Sequence, residues 1–123
     1  ELSWHRGFDY TTDGNLVGHI ARASIWLEDC ARDLDPPLPV DALAVLHNIL
    51  LSHHGEPEHG ALRPPMTPEA ILVSQLDNLD AKLTMSLCSV DPDGEGRPSS
   101  GGAFTDRAAA TGSRLYRHDS LAD

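Results

Sequence analysis

The segment that most constrains this chain runs from Thr67 to about Cys88. Thr67-Pro68-Glu69 sets a capping hydroxyl, then a proline suited to the first helical position, then an acid in the first turn. Leu72, Leu76, Leu79, Leu83 and Leu87 follow at steps of 4, 3, 4 and 4. That spacing keeps one side of a helix apolar along its length. Such a stripe asks for partners, and a helical domain is the simplest way to supply them.

The remaining segments read the same way. Thr11-Thr12-Asp13-Gly14-Asn15 is rich in helix-capping types. It precedes a helix expected at about Leu16 to Leu34, with Leu16, Ile20, Ala23, Leu27, Ala31 and Leu34 at three- and four-residue steps. Asp35-Pro36-Pro37 stops it. A second helix begins near Pro39, carries Val40, Leu43, Leu46, Leu50 and Leu51, and ends at Gly55. Residues 55–66 form a Gly- and Pro-rich loop, 91–102 a flexible linker, and 103–123 a tail with a short helix around Thr105–Arg117. No segment alternates at period two. The expected class is therefore all-α, a helical bundle over residues 1–90. Trp4 and Trp26 are expected to pack, and Cys30 and Cys88 to be buried thiols in a reducing cytoplasm.

Charge narrows the partners. The 123 residues hold 19 Asp and Glu against 9 Lys and Arg, a net charge of −10. A chain so acidic does not attract a phosphate backbone unless bound cations or another part of the protein help. No apolar run approaches the roughly 18–20 residues that span a bilayer. Glu1 to Arg6 carry no apolar signal-peptide core and no initiator Met, so the expectation is a piece of a longer protein.

Seven histidines are the compositional anomaly. Gly18-His19-Ile20 lies on the first helix, Ser52-His53-His54-Gly55-Glu56 ends the second, and Asp77-Asn78-Leu79-Asp80-Ala81-Lys82 lies on the third. In each, the polar groups sit beside the apolar stripe, so packing of three helices can bring them to the edge of one core. Imidazole with carboxylate suits Zn, Mn, Fe or Ni. The plainer alternatives stay open on these residues alone. His19 can be a core histidine, His53 and His54 can answer a helix C-terminal dipole, and Asp77 and Asp80 can be a solvated face. Glu56 can orient a ligand or act on water. Lys82, the one lysine, can face solvent or contact phosphate. His47 reads as structural, and His5, His59 and His118 as exposed.

Four phrases together resemble the C-terminal half of an HD-domain phosphohydrolase, in particular the YhaM-type 3′-to-5′ exoribonucleases, which join an OB-fold to an HD domain. They are Gly14-Asn15-Leu16-Val17-Gly18-His19-Ile20, Leu50-Leu51-Ser52-His53-His54-Gly55-Glu56, Pro65-Met66-Thr67-Pro68-Glu69-Ala70 and Leu76-Asp77-Asn78-Leu79-Asp80-Ala81-Lys82. Phe104-Thr105-Asp106-Arg107 and Leu115-Tyr116-Arg117 resemble that family's C-terminus more weakly. The resemblance implies His19, His53, His54 and Asp77 as metal ligands, with Asp80 in support. One or two divalent ions would be held, manganese first, with Fe, Ni, Zn, Co and Mg as the others. It implies a cytoplasmic phosphodiesterase that takes RNA or single-stranded DNA through an N-terminal OB-fold, with a homo-oligomer compatible. The family's first histidine and its His-Asp doublet are expected upstream of Glu1, so the 123 residues alone are expected to hydrolyse RNA poorly. The competing expectations are a non-catalytic helical remnant or interaction domain, and an HD enzyme acting on a nucleotide.

Overall fold

A computed structural model describes residues 2–3, 9–91, 102–108 and 110–117. The expectations for Trp4, His5 and His118, and the linker through 92–101, lie outside these residues. The chain divides into two compact units, Glu1–Gln75 and Leu76–Asp123. The division falls inside the longest helix.

The first unit opens with a short antiparallel pair, β1 (Leu2–Ser3) and β2 (Asp9–Tyr10). Helix α1 (Thr12–Leu16) follows, capped by the Thr11 hydroxyl, which accepts from the Gly14 amide at 3.0 Å. The helix expected from about Leu16 begins instead at His19, and α1 occupies the stretch before it that reads as a capping turn. Gly18 takes a φ of +79°, which ends α1 and starts α2 (His19–Arg32). Only glycine adopts that conformation cheaply. The break makes His19 the first residue of α2. The Arg22 guanidinium binds both carboxylate oxygens of Asp13 across the corner.

Helix α3 (Val40–Ser52) starts after Pro39, as its sequence predicts, and packs on α2. His47 on α3 meets Glu28 on α2, Nε2 to Oε1 at 2.7 Å. The loop beyond α3 folds back over its end. The Leu62 and Arg63 amides donate to the Leu51 carbonyl at 2.9 and 3.2 Å. Asn48 clamps the same loop: its side-chain amide donates to the Pro64 carbonyl at 3.1 Å, and its oxygen accepts from the Met66 amide at 2.8 Å. Helix α4 (Pro68–Val90) begins where the capping signal places it, with the Thr67 hydroxyl accepting from Ala70 at 3.1 Å.

The buried set in this unit is small-residued: Ile20, Ala61 and Ala70 with Ser52 and Ser74. Both serines are satisfied locally, Ser52 by the Asn48 carbonyl and Ser74 by the Ile71 carbonyl. The leucine row expected to pack does not. Leu72, Leu76, Leu79, Leu83 and Leu87 are 54–60% exposed, while Ala70 is fully buried. A step of two residues along a helix turns about 200°, so Leu72, two from Ala70 and two from Ser74, points away from the face that they bury. Trp26, 63% exposed, and both cysteines also lie on open surface, contrary to expectation. Trp26 and Cys30, four residues apart, share an exposed side of α2, and Cys88 follows Leu87 near the end of α4.

The second unit holds the remainder of α4 and a hairpin, β3 (Phe104–Ala108) with β4 (Ser113–Tyr116). The hairpin replaces the short helix expected around Thr105–Arg117. Phe, Thr and Tyr favour strands, and Gly112, at φ +65°, closes the turn with its amide donating to the Ala108 carbonyl at 2.8 Å. In a helix the same glycine would cost about 1 kcal/mol against alanine. The chain is therefore mostly helical with two small antiparallel pairs, not all-α.

Candidate metal centre

The C-terminal end of α3 and the first residue of α2 bring three imidazoles together. The Nε2 of His19 stands 3.3 Å from that of His53 and 3.1 Å from that of His54. The rings of His53 and His54 lie 4.0 Å apart by centroid, and His19 meets each edge-on. One nitrogen from each ring falls within 4.8 Å of the other two. These residues are 34 and 35 apart in sequence, so packing of α2 on α3 makes the cluster.

Backbone groups set the rings. His53 caps α3, and its Nδ1 lies 2.7 Å from the Leu50 carbonyl. A carbonyl only accepts, so the proton of the neutral ring is on Nδ1 and the lone pair is on Nε2, facing His19. Gly60, at φ +100°, lets the loop pass beside His54; a Cβ there would sit 3.8 Å from the ring carbon Cδ2. Gly55, at φ +78°, turns the chain beside Ser74 of α4. The α3 C-terminus adds partial negative charge where a cation would be held.

The donor set fits a divalent first-row ion. With metal–nitrogen bonds of about 2.1 Å, two ligand nitrogens are about 3.0 Å apart at right angles and about 3.4 Å at the tetrahedral angle. The two separations from His19, 3.1 and 3.3 Å, fall between these values, and all three ligand atoms lie within 4.8 Å of one another. Three neutral imidazoles brought this close can share at most one N–H at the centre, whereas a cation takes all three lone pairs. Three such donors would leave a further coordination position open.

The other expected residues are placed differently. Asp77 is half-buried on α4, in the second unit, at helix spacing from Ser74 and Ala70. Its place among the ligands rests on the sequence alone. Asp80, Glu56, Lys82 and His59 are exposed. His47 pairs with Glu28, away from the trio. Gly18, which sets the start of α2 at His19, the Leu50 carbonyl, which orients His53, and Asn48, which clamps the loop at Pro64 and Met66, were not among the expected residues. Gly18 is legible as a helix breaker directly before a histidine. Asn48 leaves no signal beyond a polar residue in an apolar helix.

This is a helical chain with a three-histidine centre, and its sequence is homologous to part of known bacterial ribonucleases. Over 119 residues, 94% of the chain, it is 35% identical to the 3′-5′ exoribonuclease YhaM of Bacillus licheniformis and, at the same identity and coverage, to those of Bacillus subtilis strain 168 and Bacillus velezensis. The match takes in 34% of each relative, so the chain spans about a third of their length. No family model matches the chain, and no solved structure matches it. Among the described residues, no helix is long and apolar enough to cross a membrane.

Proposed function

We propose that this chain is the metal-binding part of an HD-type phosphohydrolase that degrades RNA from its 3′ end. The observation that carries the reading is the approach of the His19 Nε2 to within 3.3 Å of the His53 Nε2 and 3.1 Å of the His54 Nε2. Homology to named exoribonucleases supports the substrate class. His19, His53 and His54 would hold the ion, joined by Asp77 on the strength of the sequence resemblance. Imidazoles alone bind Co²⁺, Ni²⁺ or Zn²⁺ more tightly than Mn²⁺, and a carboxylate from Asp77 is what would favour manganese.

Bound there, a divalent cation supplies an activated water and neutralises a phosphodiester oxygen. The chain's own residues orient the site. The Leu50 carbonyl keeps the His53 lone pair aimed inward, and Gly18 sets His19 at the corner between α1 and α2. The acidic surface gives an RNA strand little to hold. We assign strand binding chiefly to an OB-fold elsewhere in a longer protein.

The test is a chimera in which these residues replace the matching third of the Bacillus subtilis relative. The expected result is a Mn²⁺-dependent 3′-to-5′ ladder from 5′-labelled single-stranded RNA, lost with His53→Ala. A folded chimera that is inactive, or one whose activity survives His53→Ala, overturns the reading.

A further inference from the structure

The β3–β4 hairpin carries a charge and a surface unlike the rest of the chain. Residues 9–91 hold four Arg and Lys against thirteen Asp and Glu; residues 102–117 hold three arginines, Arg107, Arg114 and Arg117, against Asp106 alone. The register pairs Phe104 with Tyr116 and Arg107 with Arg114, with an irregularity between Phe104 and Arg107. Residues three apart on a regular strand face opposite sides. The irregularity puts Phe104 and Arg107 on one side, with Arg114 and Tyr116 opposite them. The other side carries Thr105, which is buried, and Leu115.

This open side is built from two rings and two guanidiniums. Phe104 and Tyr116 are 46% and 58% exposed, with ring centroids 5.4 Å apart. Arg114 lies over the Phe104 ring at 5.6 Å and donates from Nε to the Thr105 carbonyl at 3.0 Å. The Leu115 amide donates to the Thr105 hydroxyl at 3.0 Å, which locks the strands behind this side. The Arg107 guanidinium lies at the Gly112 turn, 3.9 Å from where a Cβ would stand. Two arginines directly opposite each other destabilise a hairpin on their own. An anion between or above them removes that conflict.

We infer that the exposed side of the hairpin binds single-stranded RNA, with Phe104 and Tyr116 stacking on bases and Arg107 and Arg114 contacting phosphates. Aromatic rings stack on any base, and arginines beside them track the backbone, which is how single strands are held without base-edge readout. The choice of RNA as the strand rests on the nuclease reading above; the surface itself does not involve the histidines.

Binding of a fluorescein-labelled single-stranded oligoribonucleotide to the whole chain, followed by anisotropy in EDTA, tests this without metal or hydrolysis. Wild type should bind saturably, and more weakly as salt rises. Phe104→Leu should weaken binding about tenfold. Arg107→Glu should weaken it at least as much while leaving the melting temperature equal or higher, because it turns a like-charged cross-strand pair into an opposite one. If Phe104→Leu unfolds the hairpin, Arg107→Glu decides alone. No binding by wild type, or an Arg107→Glu variant that binds as wild type, overturns the inference. So does an Arg107→Glu variant that changes only the sedimentation of the chain, which would assign this side to a second copy. Loss of the chimera's nuclease activity with intact binding in EDTA would leave the hairpin standing and the metal centre in question; the reverse would remove the hairpin alone.

Discussion

His19→Ala separates a metal centre from three histidines that merely touch. His19 supplies the one nitrogen seen within 3.3 Å of both other Nε2 atoms, so its loss leaves two ligands at most from the trio. Changing groups that only orient a ligand commonly costs 10–100-fold in metal affinity. Loss of a ligand itself should cost at least about 100-fold, or about 2.7 kcal/mol. With ion at about 100 times the wild-type Kd, binding stabilises the folded wild type by about 2.7 kcal/mol and the variant by about 0.4 kcal/mol. For a chain of this size that corresponds to a metal-induced rise in Tm of about 10 °C against about 2 °C. The assay is a thermal melt with Co²⁺ and then with chelator, beside the visible absorption of bound Co²⁺. The metal-free Tm should move little, since His19 is exposed. His47→Ala is the control: it breaks the pair with Glu28 but should keep the full response to metal. A His19→Ala variant with the wild-type Co²⁺ shift, or a wild type with none, refutes the assignment.

Three further outcomes are expected. Gly18→Ala meets no atom within 4 Å of its new Cβ, yet its φ of +79° is unfavourable for alanine and should cost about 1 kcal/mol; because it resets the start of α2, it should also weaken Co²⁺ binding, and an unchanged affinity would show that the corner does not position His19. The Arg22 hydrogen bond holds the Asp13 carboxyl below its usual value of 3.8, so the pair stabilises the fold above that pH and loses its effect as pH falls through the lowered value. Asp13→Asn should therefore flatten the acid limb of Tm against pH in low salt, and a limb identical to wild type would contradict the pair's role. Asp77→Asn should weaken Co²⁺ binding about tenfold or more and Asp80→Asn should weaken it less; equal binding by Asp77→Asn, read by the same absorption titration, would remove Asp77 from the ligand set.

Local chemistry alone was enough for the start of α4, where Thr67 caps and Pro68 opens the helix, and for the start of α3 after Pro39. Both are decided within a few residues by side-chain capping and by a fixed φ. The sequence also singled out His19, His53 and His54 as candidates, because imidazoles beside apolar stripes stand out and their phrases resemble a known family. It did not reveal that Gly18 separates a short α1 from α2, since a glycine within a periodic stretch can be tolerated or can break it. Nor did it reveal the hairpin at Phe104–Tyr116, where a thirteen-residue stretch of mixed propensity was resolved by cross-strand pairing. The leucine row from Leu72 to Leu87 shows the limit most clearly. Periodicity encodes that a helix forms, through contacts three and four residues apart, but not which side finds a partner; here the small side chains of Ala70 and Ser74 are the buried ones. The histidine cluster belongs wholly to the tertiary structure: His19 meets His53 and His54, 34 and 35 residues away, because α2 packs on α3, and the Leu50 carbonyl orients His53 because the helix ends there.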